Sequence, residues 1–195
     1  MKALSLIDYR LVSEQEGIGV AELRTIKQVE SNGNGHLADG RPKILFEGHK
    51  FYLHLSKLPE VRKKAAKERP DLCFPKWSRA HYKGGVAEWD RLDAAIKYNR
   101  EAALKSASWG AFQIMGEHYA VCGFSTVQEF VNSMFKEERY HLEAVCNFIK
   151  ANPKMYRALL AHDWATFARL YNGAGYKANK YDEKLAAAFA KFSKE

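Results

Sequence analysis

Glu30 stands where an apolar helical stripe runs into Ser-Asn-Gly-Asn-Gly. At about 100° per residue, Val20, Leu23, Ile26 and Val29 share one face, and Glu30 falls in the middle of that arc. An inward carboxyl loses solvation, which raises its pKa and favours the protonated form at neutral pH. The negative end of the helix dipole acts in the same direction. A proton held this way is what a general acid delivers. The plainer alternative is a Glu30 that frays outward or pairs with a lysine or arginine.

Other chemistries find less support. The seven histidines contain no H-E-x-x-H, and Glu138-x-x-His141 is a single copy of a pattern that di-iron bundles use twice. Both residues are expected on the solvated side of a long helix. Cys73, Cys122 and Cys146 are odd in number and widely spaced, which suggests free buried thiols, neither a disulfide framework nor a zinc ribbon. No G-x-S-x-G elbow occurs. No metal or organic cofactor is expected. "RKKAAKER", residues 62 to 69, could hold phosphates, but no nucleic-acid motif accompanies it, so it reads as a solvated face. Nucleic-acid binding stays as the non-enzymatic alternative.

The elements that must position Glu30 read as mainly helical. Ser13-x-x-Glu16 is a possible capping box for the helix that ends at Glu30. Pro42 to about Leu45 looks extended, and "KILFEGHKFYLHL" reads either as a short hairpin or as a strand passing into a helix. A basic amphipathic helix is expected over 55–68, a core helix over 86–103 and a long helix over 126–150, stopped by Asn152-Pro153. Asp163 is a good N-cap for "WATFARLYNG", with Gly173 where a helix end favours glycine. A last helix, about 181–192, presents Leu185, Phe189 and Phe192. Its sequence could be read as membrane-active, but the narrow stripe and the acids in its tail favour docking onto the core.

Length and composition set the frame. A chain of 195 residues, 47% hydrophobic and 13% aromatic, with no repeat or linker, predicts a single domain over 1–195. The net charge of +8 draws the chain towards polyanions without choosing among nucleic acid, anionic lipid and bacterial wall. The N-terminal segment lacks an apolar signal region, and no run of about 18 apolar residues occurs, so synthesis in a cytoplasm is expected.

Three ordered motifs carry a resemblance. "VESNGNG" resembles the Glu-Ser-x-Gly signature of goose-type lysozymes and lytic transglycosylases. "SASWGAFQIM", residues 106 to 115, resembles their Ser-x-Gly-x-x-Gln-Ile-Met segment, and "LYNGAGY", residues 170 to 176, their Tyr-Asn-x-Gly segment. "ESNGNGHLADGRPKILFEGHKFY" with "YNGAGYKANKYDEKL" is similar to the N-acetylmuramidase family of phage endolysins across almost the whole chain. The resemblance implies a lysozyme-like fold, mainly α with at most a small β element near 42–54. It also implies cleavage of peptidoglycan glycan strands by a monomer without a separate wall-binding domain. Such an enzyme, made without a signal, would reach the wall through a membrane lesion opened by another protein, helped by attraction to the anionic envelope.

By the same resemblance Glu30 supplies the proton. Ser31, Ser108, Gln113, Tyr171, Asn172 and Tyr176 bind substrate, with Tyr171 able to hydrogen-bond the Glu30 carboxyl. Ser108 could instead belong to a polar loop before a core helix through Phe112, Ile114 and Met115, and Tyr171 could be a core aromatic whose hydroxyl finds a backbone partner. An inverting hydrolase needs a second carboxylate as base, about 6.5 to 9.5 Å away. Glu47 is the first choice and Asp39 the second. The alternative is a structural Glu47 paired with Arg41 or His49. Without a base, the substrate's own 6-hydroxyl can close on the anomeric carbon and leave an anhydro sugar.

Overall fold

The computed structural model describes residues 3–31 and 33–195. Eleven α-helices and three short strands are assigned among them: α1 (Leu6–Glu16), α2 (Val20–Glu30), β1 (Ile44–Phe46), α3 (Gly48–His54), α4 (Pro59–Glu68), α5 (Ala87–Ile96), α6 (Arg100–Lys105), β2 (Ala107–Trp109), β3 (Ile114–Met115), α7 (Val127–Met134), α8 (Glu138–Lys150), α9 (Pro153–Leu160), α10 (Trp164–Asn172) and α11 (Tyr181–Phe192). The fold is mainly α, as expected; its one small antiparallel sheet takes β1 from the expected stretch near 42–54 and β2 and β3 from outside it.

Capping explains where the expected long helices divide. Ser5, not Ser13, forms the first capping box, with Asp8, and Gly17 in the left-handed region ends α1 before α2 begins. Asn99 caps α6 through the Ala102 N–H, so the segment read as one helix over 86–103 is two. Pro59 at the first turn starts α4 four residues later than Leu55. The 126–150 segment breaks after Met134, giving α7 and α8. Asn152, with Pro153 at the first turn, and Asp163 cap α9 and α10.

The sheet runs β1-β2-β3, with Leu45 opposite Ser108 and Ser108 opposite Met115. "SASWGAFQIM" is therefore a hairpin, and Phe112, Ile114 and Met115 do not form a helix. The open alternative at 42–54 resolves as a strand passing into α3. Ile44, Phe46, Ala107, Trp109 and Ile114 are buried and point into the core with Phe51, Phe130 and Phe167. Strand alternation turns Lys43, Leu45, Glu47, Ser108 and Met115 to the opposite face. α11 packs along α2 and against α10, which brings the C-terminal ends of α2 and α10 together. All three cysteines are free and buried.

Candidate active site

Glu30 is the last residue of α2 and is partly buried. Asn172, the last residue of α10, donates from Nδ2 to Glu30 Oε1 at 2.9 Å. Burial pushes the Glu30 carboxyl up to about 7, and the Asn172 bond, which favours the ionised form, partly opposes the rise. Near neutrality the acid is thus poised between its two states. Burial also raises the phenols of Tyr171 and Tyr181, and the Glu30 charge adds to both shifts, so two tyrosines share its surroundings. Tyr181 opens α11; no spacing in the sequence ties it to this site.

Tyr171 links the acid to the hairpin. Its hydroxyl donates to the Phe112 carbonyl at 3.4 Å, and its ring stacks on Phe167 with centroids 5.6 Å apart. The hydrogen bond to Glu30 comes from Asn172, one residue further on. Phe112 lies in the turn joining β2 to β3, where Gly110 has φ 71° and Gln113 φ 51°. The Gln113 amide clasps this turn: Nε2 donates to the Gly110 carbonyl at 2.9 Å and to the Lys43 carbonyl at 3.3 Å, while Oε1 accepts from Ser108 Oγ at 2.8 Å. Gln113 is exposed and lines a groove of about 400 Å³ with Asn34, Lys43, Leu45, Gly85 and Ala111. Ser108, 6% exposed, reaches that groove chiefly by orienting Gln113.

Ser31 and Tyr176 lie deeper. Ser31 Oγ donates to the Gly33 carbonyl at 2.6 Å and accepts from Lys27 Nζ at 2.8 Å, which shapes the turn behind Glu30. Tyr176 is 7% exposed and packs in the core from the short 3-10 segment before α11.

Glu47 sits at the far end of the groove-facing strand from Lys43. Its N–H extends the ladder to the Ser106 carbonyl at 2.9 Å, and its carboxylate accepts from the Tyr82 hydroxyl at 2.5 Å. His49 Nδ1 lies 3.3 Å from the same oxygen, Oε2. Of the two partners foreseen for a structural Glu47, His49 is therefore the one present. Arg41 instead binds Asp39, whose carboxyl is held below the usual range by those hydrogen bonds and is open to solvent.

The expectation for Glu138 and His141 is overturned. They are 2% and 1% exposed, not on a solvated face, because the break after Met134 reorients α8 so that its first turn faces inward. Glu138 accepts from the Gly35 N–H and pairs with Lys27 Nζ at 3.0 Å. His141 Nδ1 accepts from the Ala111 N–H at 3.1 Å, which places its proton on Nε2, 2.8 Å from the Met134 carbonyl. His36 reaches the same carbonyl at 3.0 Å. Desolvation lowers both imidazoles, His141 to about 4, so the pair stays neutral. Together these groups dock the loop after Glu30 and the Gly110–Gln113 turn onto α8. Gly110 has no room for a side chain: a Cβ would fall 2.7 Å from His141 Nδ1.

A second buried pair was also missed. Glu88, fully buried, accepts from the N–H groups of Phe46, Lys83 and Gly84 and pairs with Arg91 at 2.7 Å. Burial alone would raise its pKa; the three N–H donors and Arg91 outweigh it and the value is lowered. The only sequence signal was the i,i+3 spacing of Glu88 and Arg91, which is common on exposed helix faces.

Comparisons with known proteins agree with this architecture. A family model described as N-acetylmuramidase matches residues 19–193, a span that holds all the groups above. The crystal structure of Burkholderia AP3 phage endolysin superposes with a TM-score of 0.91 at 38% sequence identity, covering 99% of this chain and 73% of that one. No curated protein matches the chain.

Proposed function

Because the chain belongs to the N-acetylmuramidase family and is thus a glycoside hydrolase of peptidoglycan, we propose that Glu30 is the general acid that cleaves the bond between N-acetylmuramic acid and N-acetylglucosamine. The observation supporting this role is the Glu30 carboxyl raised to about 7 by burial, with Asn172 as its hydrogen-bond partner. A protonated Glu30 gives its proton to the glycosidic oxygen as the C–O bond breaks and positive charge develops at the anomeric carbon. Asn172 then stabilises the carboxylate left behind. The groove bounded by Gln113, Asn34 and Leu45 holds the strand, and the Gln113 clasp keeps its mouth in one shape.

Glu47 is the proposed base. Strand alternation sets it on the groove face two residues beyond Leu45, and the Tyr82 hydroxyl and His49 hold one of its oxygens, leaving the other for water. The alternative is closure by the substrate's own 6-hydroxyl, which needs no second carboxylate.

Glu30→Gln should keep the fold and abolish wall lysis; retained turnover would place the acid elsewhere. Mass spectrometry of the released muropeptides decides between the two routes, since anhydro products are lighter by one water. Glu47→Gln with activity near wild type would remove Glu47 from the mechanism.

A further inference from the structure

Lys43 joins the loop that follows Glu30 to the turn between β2 and β3. Its N–H donates to the Gly35 carbonyl at 2.8 Å, on the acid's loop. Its own carbonyl accepts from the Gly110 N–H at 2.8 Å and from Gln113 Nε2 at 3.3 Å, both on the hairpin turn. The Lys43 backbone is thus fixed on both sides. Pro42 and Ile44 beside it are buried, and strand alternation sends the Lys43 side chain the other way, into the groove it lines. The ammonium lies over the acid's turn: a Cβ on Gly33, three residues after Glu30, would fall 3.8 Å from Lys43 Nζ.

Among the described residues that line the groove, Lys43 alone carries a charge; the others are apolar residues, glycines, or the amides Asn34 and Gln113. Amides and apolar surface suit the N-acetyl and hydroxyl groups of any N-acetylated glycan, charged or neutral. A cation suits only a glycan that carries anions. The other lysine at this turn, Lys27, is engaged within the protein by Ser31 Oγ and the Gly33 carbonyl, each at 2.8 Å, and by Glu138 at 3.0 Å. Lys27 therefore shapes the turn, and Lys43 faces the groove. An ammonium offers three N–H donors, so it can hold a carboxylate alongside contacts within the protein. In a strand of alternating N-acetylglucosamine and N-acetylmuramic acid, carboxylates come only with the muramic residue, on its lactyl group or on the peptide attached there.

We propose that Lys43 is a specificity-determining residue, which selects muramic acid in the groove by pairing with a carboxylate that this sugar carries. The proposal rests on reading the groove as the glycan cleft and names the group that the cleft selects. Lys43 is half-buried, so the pair stays partly open to water and contributes to binding and selection, not to the chemical step.

Three soluble glycan strands of equal length provide the test: one stripped of peptide, with free lactyl carboxylates; one with those carboxyls converted to neutral methylamides; and one with its peptides intact. Lys43→Met should raise KM about two- to fivefold on the carboxylate strand, the peptide-bearing strand or both while kcat holds, the size of one partly exposed ion pair. A rise on the first alone identifies the lactyl carboxylate as the ligand, and a rise on the peptide-bearing strand alone identifies a peptide carboxylate. On the methylamide strand, variant and wild type should share one KM. Lys43→Arg should stay close to wild type on all three, and the Lys43→Met effect should shrink as ionic strength rises. Lys63→Met removes the same charge from the exposed face of α4 and should leave every KM unchanged. Unchanged KM for Lys43→Met on both carboxylate-bearing strands overturns the proposal. So does an equal rise on the methylamide strand, which would mark Lys43 as structural, or a matching rise for Lys63→Met, which would trace the effect to net charge. Retained turnover by Glu30→Gln would instead overturn the acid assignment and leave the contrast between charged and neutral strands to be read by itself.

Discussion

Asn172 Nδ2 donates to Glu30 Oε1 at 2.9 Å, joining the last residues of two helices that lie 142 positions apart. The bond favours the carboxylate and so holds the Glu30 pKa below what burial alone would set. Asn172→Ala should therefore move the alkaline limb of kcat/KM, expected near pH 7 in the wild type, to higher pH. A profile with the limb unmoved, or moved to lower pH, would separate Asn172 from the acid. kcat/KM against pH on a soluble glycan measures this.

Burial creates two proton linkages of opposite sign. Glu30 is raised from 4.5 to about 7, so its contribution to stability is complete below pH 4.5 and is lost as pH rises through 7. His141 is lowered from 6.5 to about 4, so its contribution is complete above pH 6.5 and is lost as pH falls through 4. Each amounts to ~3 kcal/mol, and the two offset each other between the ordinary values, 4.5 and 6.5. Glu30→Gln removes the first alone. It should be more stable than wild type at pH 8 by ~3 kcal/mol, equal to it at pH 4, and more sensitive to acid between those values. Urea denaturation at the two pH values checks both statements.

Glu138→Ala should be strongly destabilising. The substitution leaves the Lys27 ammonium, 15% exposed, without its carboxylate and the Gly35 N–H without an acceptor. Breaking a buried pair from one side costs about 3–5 kcal/mol. Glu138→Gln keeps an oxygen for Gly35 and should cost less. Equal urea midpoints for the two variants would contradict this account.

Attraction to the wall should depend on salt. With a net charge of +8, lysis of intact peptidoglycan should slow as ionic strength rises and the screening length falls from about 10 Å at 0.1 M to about 3 Å at 1 M. Cleavage of a neutral soluble oligosaccharide should change far less. Parallel turbidity and reducing-end assays separate the two effects, and a salt-independent lytic rate would remove charge from the account.

What the sequence showed and what it hid follow from physical range. Asp163, Gly173 and the 181–192 stripe are local signals, and the corresponding helix and its ends appear as read. The inward Glu30 was legible because four apolar residues fix the face of α2. The division at Asn99 was hidden because Ala103 continues the stripe of Trp89 and Leu92 across the break, so periodicity outweighed the cap. The hairpin at 107–115 was hidden because strands of two and three residues are too short to show alternation. Glu138, His141 and Glu88 look like surface residues by type. Their partners, Gly35, Ala111, Phe46 and Lys83, are backbone groups brought in from 5 to 103 positions away, and backbone donors leave no mark in a sequence.

One oxygen, the Met134 carbonyl, takes a ring N–H from His36 on the loop behind the acid and another from His141, which also grips the hairpin turn. The loop behind the acid and the hairpin turn are thus pinned to one point at the end of α7, so that bank of the cleft behaves as a single anvil. Breathing needed to admit a bulky, peptide-bearing strand then falls to a side outside this hold, the stretch from Gly173 to Lys180, whose two ends both turn through positive φ. Backbone amides there should exchange with solvent long before Ala111 does, and the enzyme's grip on its polymer should be timed by that side alone.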